Sequence, residues 1–550
     1  MVLTKDKRQQ LDPDIAEYIQ HLEVSTAAWE QQHSKLENQH AKLEQNHSQL
    51  QTRYEHLQEE LRLALHRQFS RSSEQAPREQ TELFGEAEQY SVNDEKTDAD
   101  AAETITIREH EKAKPGRKPI DPKVPRKDIE HDIDEADKQC ACGCTMERIG
   151  EEVTERLQTI PEQVYAERHI RPKYACRNCE GSGDEDRPAV RIASTPPSII
   201  PGSIVTPGLL AFILVNKFVD HLPFYRQEQR FARIGVNISR QDMSNWTIRS
   251  AKRIAPLIER YRQLIREGPV VQIDETRMLV RNEPGRTETA TSWMWLARGG
   301  PSHAPVTLYA YHTSRGTAHP MELLYGYNGY LQTDGYEVYQ RIARDYPAIT
   351  LVGCWAHARR KFHDAAAASK KKTGAAHEGM KHIESLYRIE RALRDEELEP
   401  QRFVDTRREQ VEPVLAKFKS WLEKKVGSLP PQSTLGKAVN YTLNQWEYLV
   451  RYLDLAELTP DNNASERAIR PFVMGRKNWL ASGAPHGAES SCAMYSLIET
   501  ARQNGMNPYA YLHHVFHKVP MITSDEQWDE LLPHNLETET VNSAFLATVR

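Results

Sequence analysis

The sequence predicts a multidomain protein of mixed class, in which a long N-terminal helix precedes a small β module, a helical region and an α/β domain with a large helical insertion. Three observations support this prediction. Leucines recur at a seven-residue interval after Leu22, five of the seven cysteines lie between Cys140 and Cys179, and short β-type runs begin at Val270. The chain has 550 residues, too many for one ordinary core, so about three to four structural units are expected.

Composition and charge narrow the function classes. A formal net charge of -6 argues against a uniformly basic DNA-coating protein, so any contact with nucleic acid must come from local patches. No stretch approaches the roughly 20 apolar residues of a membrane span, the longest being 208–215, and the N-terminus lacks the apolar run of a secretory signal. We therefore expect a soluble, cytoplasmic protein with reduced cysteines and no membrane partner.

Residues 15–69 predict a coiled-coil helix. One heptad position is occupied, without an intervening proline or glycine, by Leu22, Trp29, Leu36, Leu43, Leu50 and Leu57. The other seam position is polar at His33, His40 and His47 and becomes apolar only towards Tyr54 and Leu61. The polar flanks favour self-association into a dimer or higher oligomer through a weak zipper. The alternative is a single amphipathic helix that packs on its own protein.

Residues 70–135 predict a linker with two parts of opposite charge. Residues 71–110 hold eleven Asp or Glu against four Lys or Arg and few apolar side chains, so this part cannot fold independently. Residues 111–127 hold seven basic and two acidic residues around a Pro-Gly-Arg-Lys-Pro core. Arg117 and Lys118 of this core could enter a narrow minor groove or grip phosphates. A solvated basic linker is the alternative.

Residues 136–182 predict a small zinc ribbon. Two cysteine knuckles flank a β-rich excursion, with Cys140-Ala-Cys142-Gly-Cys144 before it and Cys176-Arg-Asn-Cys179 after it. Four thiolates in such pairs hold one tetrahedral Zn²⁺, which replaces a missing hydrophobic core. We expect Cys140, Cys142, Cys176 and Cys179 to be the ligands, with Cys144 as the spare thiol. The ribbon either contacts DNA or is only a structural staple.

Residues 200–266 predict a helical DNA-binding region. The pattern gives a helix, a turn at Gly235 and a second helix from Arg240 that Ser239 caps. This is the layout of a helix-turn-helix reader. Arg240, Gln241 and Asn245 would be its outward-facing residues, unless the pair of helices serves only for packing.

Residues 268–512 predict an α/β domain. Three strands with hairpin spacing come first, and Asp274 follows the apolar run of the first strand. A helix and a fourth strand follow, and Asp334 ends this strand just before Gly335. Asp-Gly is often only a turn, but the strand order is that of a ribonuclease-H-like sheet, whose first and fourth strands are neighbours. Two carboxylates placed together in this way repel each other unless a divalent cation bridges them.

The rest of this domain predicts a fifth strand, AITLVGCW, a basic segment with His357, Arg359 and Arg360, and a helical insertion over about 365–458. A final helix begins after Pro460 and carries Glu466 in DNNASERAIRPFVMGRKNW. A lone Glu on a helix is normally a surface residue. Residues 513–550 are expected to be a C-terminal tail.

The chain resembles the transposases of insertion-sequence family sixty-six, also called TnpC-type. The resemblance runs from about Leu22 to Leu512 in one order. Its motifs are the leucine repeat, QFSRSSEQ, TELFGEAE, KPGRKPI, VPRKDIEHD, the cysteine pairs with IGEEVTERL and HIRPKYAC, VQIDET, LQTDGYEVY, CWAHARRKF and NNASERAIRPFVMGRKNWLASG. The crowded first cysteine knuckle departs from the family pattern.

The resemblance implies an Asp-Asp-Glu catalytic triad, which corresponds here to Asp274, Asp334 and Glu466. Two Mg²⁺ or Mn²⁺ ions held by these carboxylates would activate a water for strand cleavage and then the freed 3′-hydroxyl for strand transfer. The residues expected to contact phosphates are His357, Arg359, Arg360, Arg467, Arg470, Arg476 and Lys477, with ion pairing on the protein surface as the alternative.

The implied partners are double-stranded DNA, both as element ends and as target, and helper proteins encoded nearby. The implied location is the bacterial cytoplasm, in association with the nucleoid when the protein is bound to DNA. Three other functions remain open from the sequence. The first is a DNA-binding regulator with an inactive catalytic fold, and the second is a ribonuclease-H-like nuclease without strand transfer. The third is a scaffold protein with an inactive enzyme.

Overall fold

The computed structural model describes residues 13–69, 163–175, 190–369 and 373–549. The chain divides into one unit of residues 1–83 and 193–550 and a second unit of residues 84–192. The expected zinc ligands Cys140, Cys142, Cys176 and Cys179 lie outside the described residues, as do Arg117 and Lys118 of the basic linker. Their roles therefore stay predictions.

In the second unit, two short strands pair next to the second cysteine knuckle. Strand β1 (Lys173–Ala175) runs antiparallel to β2 (Val190–Ile192), with Tyr174 opposite Arg191. The segment 163–172 leads into β1 without helical structure. Strand β1 ends directly before Cys176, so the described part of the predicted ribbon includes one short strand of its β-rich segment.

The N-terminal segment forms one long helix, α1 (Pro13–Phe69). The six side chains of its leucine heptad position are 46–70% exposed. The C-terminal end of α1 packs on the insertion, where the Glu59 carboxylate accepts from Thr434 N at 3.2 Å. The helix therefore has two regions, since its end packs on its own protein while most of its apolar line faces solvent.

Residues 200–269, all described, form four helices ahead of the sheet: α2 (Pro207–Phe218), α3 (Phe224–Arg233), α4 (Arg240–Arg253) and α5 (Ala255–Glu267). Gly235 turns the chain between α3 and α4 with φ of +79°, a conformation that favours glycine. The Ser239 hydroxyl accepts from Asp242 N at 3.0 Å, which confirms the predicted cap of α4.

The sequence predicts residues 200–266 as a region separate from the α/β domain, but in the structure the two regions pack against each other. One continuous hydrophobic core contains Leu214 of α2, Trp246 of α4 and Leu296 and Leu497 of the following domain. An almost wholly apolar helix such as α2 must be covered on all sides. The helical region is therefore built into the same core as the sheet.

A five-stranded mixed sheet forms the centre of the main unit. Its strands are β3 (Val270–Leu279), β4 (Thr291–Gly299), β5 (Val306–His312), β6 (Gly329–Gln332) and β7 (Ile349–Val352). The order across the sheet is β5-β4-β3-β6-β7. The β3–β4 and β4–β5 pairs are antiparallel, while β3–β6 and β6–β7 are parallel. The first and fourth strands of this sheet are thus neighbours, as predicted.

Two short helices lead to the parallel strands. Helix α6 (Ala318–Leu323) leads to β6, and α7 (Glu337–Asp345) leads to β7.

The insertion has a hydrophobic core of its own. The insertion helices then follow: α8 (Trp355–Ala368), α9 (Ala375–Arg394), α10 (Pro400–Val426), α11 (Thr434–Asn444) and α12 (Trp446–Val450). Trp355 and Phe362 of α8 pack against Phe418 of α10 in a second core, which also includes Val352 of β7. Helix α8 therefore joins the insertion to the end of the sheet.

The last 38 residues are not a loose tail along their described length. Helices α13 (Asn463–Trp479), α14 (Pro485–Gln503) and α15 (Pro508–Lys518) are followed by three short 3₁₀ turns and α16 (Thr538–Val549). Helix α15 runs across the boundary predicted at residue 512. Tyr511 donates from its hydroxyl to Leu531 O at 2.8 Å, and Arg260 of α5 pairs with Asp525 at 2.5 Å. The segment is fastened to the core.

Among the described residues, no helix has both the length and the apolar character needed to cross a membrane. Cys354 and Cys492 are free thiols, both buried, and burial raises the pKa of each thiol above its usual range. Covered, protonated thiols are poor nucleophiles, so these two cysteines serve packing.

Candidate active site

Asp274 lies in the middle of β3, opposite Leu296 of β4. Burial, followed by the negative charges of Glu275, Glu466 and Asp334, raises its pKa to about 8. The backbone N–H of Glu275 donates to Asp274 Oδ1 at 2.8 Å and opposes this rise. A carboxyl group that is covered and surrounded by acids in this way is poised to take up a proton or a cation.

Asp334 follows the end of β6, in a turn fixed on both sides. Its Oδ1 accepts from Tyr336 N at 2.9 Å, and its carbonyl oxygen accepts from the Tyr441 hydroxyl of α11 at 3.1 Å. Gly335 has φ of +84°, and a Cβ there would meet Tyr441 Oη at 3.0 Å. Asp334 and Gly335 therefore do form a turn. Because β6 is paired with β3, this turn also brings Asp334 towards Asp274.

Glu466 lies in the first turn of α13. Its Oε1 is 3.7 Å from His357 Nε2, and its Oε2 is 3.7 Å from Arg360 Nη2, both on α8. Only about a fifth of the side chain is exposed. Glu466 therefore does not lie on an outer helix surface, and its charge is near enough to contribute to the raised pKa of Asp274.

The three acids come from β3, from the turn after β6 and from α13, and the charges of Glu466 and Asp334 contribute to the raised pKa of Asp274. Among the described residues, however, no group of three His, Cys, Asp or Glu side chains is arranged to hold a metal ion. Like charges repel, and Glu466 is turned towards His357 and Arg360. The structure thus brings the triad into one neighbourhood without ligand spacing.

Glu275, which the sequence analysis did not select, has a buried network of its own. Arg315 approaches its carboxylate with Nη2 at 2.5 Å, and the Tyr339 hydroxyl donates to it at 2.6 Å. The Arg315 guanidinium also stacks on the Tyr336 ring, 3.9 Å from the centroid. Burial raises the pKa of Glu275, while Tyr339 and Arg315 oppose the rise. This network fixes the turn that follows Asp334.

The basic segment on α8 faces two directions. His357 and Arg360 face Glu466, and burial lowers the pKa of His357 although Glu466 opposes this. Arg359 is only 3% exposed and pairs with Glu384 of α9 at 3.3 Å. The prediction that Arg359 contacts DNA is therefore wrong, because the helical period turns this residue into the insertion.

Further cations lie along α13. Arg467 and Lys477 are exposed, and Arg470 is partly exposed. Arg476 is also partly covered, and its Nη1 donates to Thr276 Oγ1 of β3 at 3.4 Å. Arg298 of β4, which the sequence did not single out, has a pKa lowered by burial and by the nearby Arg467. Positive charge therefore accumulates beside the acids.

The predicted reading helix, α4, has one buried and one open face. Met243, Trp246 and Thr247 are buried. Arg240, Gln241 and Asn245 are exposed, and Gln241 Nε2 donates to Asn245 Oδ1 at 3.2 Å. The three predicted contact residues thus lie on the accessible side of the helix.

Comparison with known proteins gives matches along most of the chain. Residues 202–490 match the family model described as "Transposase IS66 family", and residues 496–534 match the "IS66 C-terminal element". Residues 137–180 match the "zinc-finger binding domain of transposase IS66", and residues 56–129 match "Transposase C of IS166 homeodomain". The zinc-finger match covers both predicted cysteine knuckles.

Relatives of similar length occur in Sinorhizobium fredii. The "Uncharacterized protein y4jD" is 35% identical over 437 residues, which cover 76% of this chain and 82% of that protein. The "Uncharacterized protein y4qI" is 31% identical over 404 residues, 72% of each. The family match alone spans more than half of the chain. The chain therefore belongs to the IS66 family of transposases, with a zinc-finger domain ahead of the region that contains the three acids.

Proposed function

We propose that this transposase binds the ends of its element and performs metal-dependent strand cleavage and strand transfer, with Asp274, Asp334 and Glu466 as the residues that hold the metal. The observation that carries the proposal is the packing of β6 and α13 against β3, which brings Asp334 and Glu466 near enough to Asp274 to contribute to its raised pKa. The sheet order β5-β4-β3-β6-β7 supports a ribonuclease-H-like catalytic fold.

The donor set fits a hard divalent cation. Carboxylate oxygens are the ligands that Mg²⁺ and Mn²⁺ prefer, and such an ion would compensate the burial and the neighbouring negative charges that raise the pKa of Asp274. Two such ions, when bound, would lower the pKa of an attacking water or 3′-hydroxyl and stabilise the departing 3′ oxygen. When the metal is bound, the Glu466 carboxylate would turn from His357 and Arg360 towards the metal. The side chains of His357 and Arg360 would then be available to contact DNA phosphates.

The surrounding residues would position the DNA. Arg467, Arg470, Arg476 and Lys477 extend along α13 from Glu466 and would contact the backbone on either side of the scissile bond. Arg240, Gln241 and Asn245 would read an element end from α4. Cys140, Cys142, Cys176 and Cys179 would hold one Zn²⁺ in the matched zinc-finger segment, and Arg117 and Lys118 would add contacts from the linker.

The test uses DNA that carries the element ends flanking the gene. Wild-type protein should nick it with Mg²⁺ and then join the freed 3′ end to a target duplex, while Asp274→Asn, Asp334→Asn and Glu466→Gln should do neither. Equal activity of all four proteins would remove the triad. Nicking without a joined product would instead identify a nuclease without strand transfer.

Self-association through α1 leads to a separate prediction. The full-length double variant Leu36→Glu/Leu43→Glu should have a lower molar mass than the wild type by light scattering, because it places charges in the exposed apolar line. Gln31→Glu/Gln45→Glu is the matched control, since it adds the same charge on the opposite face. A wild type that is monomeric at micromolar concentration, or a seam variant with the wild-type mass, would contradict the proposal.

A further inference from the structure

A pair of buried glutamines joins the two strands that carry the aspartates. Gln272 of β3 and Gln332 of β6 are direct partners in the parallel register, and Gln272 Nε2 donates to Gln332 Oε1 at 2.8 Å. The exposed fractions of the two residues are 6% and 0%. We infer that Gln272 and Gln332 are positioning residues that set the separation of the metal-holding acids, an inference that rests on the proposed function.

The pair lies two residues before each aspartate. Side chains two positions apart along a strand point to the same side of the sheet, so Gln272 and Asp274, both within β3, share a face, while Asp334 follows Gln332 by two residues in the turn after β6. Extended pairing continues past Gln332, since Thr333 N donates to Val352 O at 3.1 Å. The hydrogen bond between the two glutamines therefore lies two residues before the aspartates and holds β3 and β6 side by side at that point.

The same pair reaches the element that carries Glu466. Gln332 Nε2 donates to Thr459 O at 2.7 Å, and the Thr459 hydroxyl donates to Asp461 O at 2.6 Å. Asn462 directly afterwards is the N-cap of α13. The amide of Gln332, on β6, thus contacts both β3 and the segment that leads into α13. Gln332 therefore connects all three elements that carry the acids.

Stability alone does not account for this pair. Among the described residues, Gln272 Oε1 is buried without a hydrogen-bond partner, and such an unpaired acceptor costs free energy. Two apolar side chains of similar shape would remove this unpaired oxygen, and only the Thr459 carbonyl would lose its donor. What the amides add is a directional connection, and outer residues that orient metal ligands typically contribute about 10–100-fold to metal affinity.

The experiment measures Mn²⁺ binding to the full-length protein by titration calorimetry. In Gln272→Met/Gln332→Met both partners are replaced, so that no half-paired amide remains. We expect a Mn²⁺ dissociation constant about 10–100-fold higher than that of the wild type, with a moderately lower melting temperature without metal, because the Thr459 carbonyl loses its donor. Gln227→Met is the matched control, because Gln227 is another buried glutamine, with Nε2 bonded to Ile213 O and Leu222 O, away from the acids.

A second variant keeps the test decisive if the double variant does not fold. Gln332→Asn retains the amide but shortens its reach, and it should also weaken Mn²⁺ binding while Gln227→Met does not. Wild-type affinity in a folded Gln332→Asn or double variant, together with lost binding in Asp274→Asn, would overturn the positioning inference alone. Wild-type affinity in Asp274→Asn would overturn the proposed function itself.

Discussion

Asp274→Asn should reduce Mg²⁺-dependent cleavage of element-end DNA by about 10³-fold or more, because metal-supplied charge stabilisation is worth several kcal/mol in the transition state. The same variant should no longer gain thermal stability from Mn²⁺, since binding to the native state is what raises a melting temperature. Gel analysis of nicked product and a melting curve with and without Mn²⁺ measure the two effects.

The pH dependence of stability gives an independent check on Asp274. Its pKa is raised to about 8 in the folded protein, against 3.8 as the ordinary value. The unfolded chain therefore releases this proton first, so the stability that the group contributes is full below about pH 4 and is lost as the pH rises towards 8. Without metal, the melting temperature of the wild type should fall over this window more steeply than that of Asp274→Asn.

The matched control is Asp345→Asn, which removes an exposed carboxylate at the end of α7. It should keep both the wild-type pH profile and the wild-type response to Mn²⁺. Parallel profiles of the wild type and Asp274→Asn would show that Asp274 titrates normally and would remove the electrostatic basis of the proposed site.

Glu466→Gln should lower cleavage by about 10²–10³-fold while element-end binding is retained or tightened. The amide is a poorer ligand for a hard cation, whereas the loss of one negative charge beside His357 and Arg360 favours DNA phosphates. Single-turnover cleavage and a binding isotherm at fixed salt separate the two effects.

Glu489→Gln on α14 is the control for this variant, since Glu489 is exposed and lies on another helix. Wild-type cleavage by Glu466→Gln would contradict its assignment. It would leave Asp461, whose pKa is raised by burial, as the acid to replace next on this segment.

The sheet could be predicted from the sequence because its signals are local. Apolar runs ending in Asp274 and Asp334, and the strand order around them, were enough to place β3 beside β6. The Ser239 cap was equally local. The position of Glu466 depended on resemblance, since no local pattern distinguishes an acid that faces a sheet from one on a surface.

Other features depend on contacts between distant residues. Glu275 meets Arg315 and Tyr339 only after β5 and α7 have packed, so no motif announces the network. Arg359 looked available because its helix is basic, and only the folded insertion covers it. The C-terminal segment is anchored by buried residues of α15, such as Phe516, and by Leu531, which lies in a short 3₁₀ turn without a helical period.

The contact between Glu59 and Thr434 has a mechanical consequence. Glu59 holds the first residue of α11, and Tyr441 on the same helix holds the backbone of Asp334. Thr434 and Tyr441 lie on one helix of 11 residues, about 16 Å long at 1.5 Å per residue, so a displacement of the C-terminal end of α1 would be transmitted towards the turn at Asp334. If copies of the chain assemble through α1 as proposed, their assembly would act on the same helix that holds the Asp334 backbone.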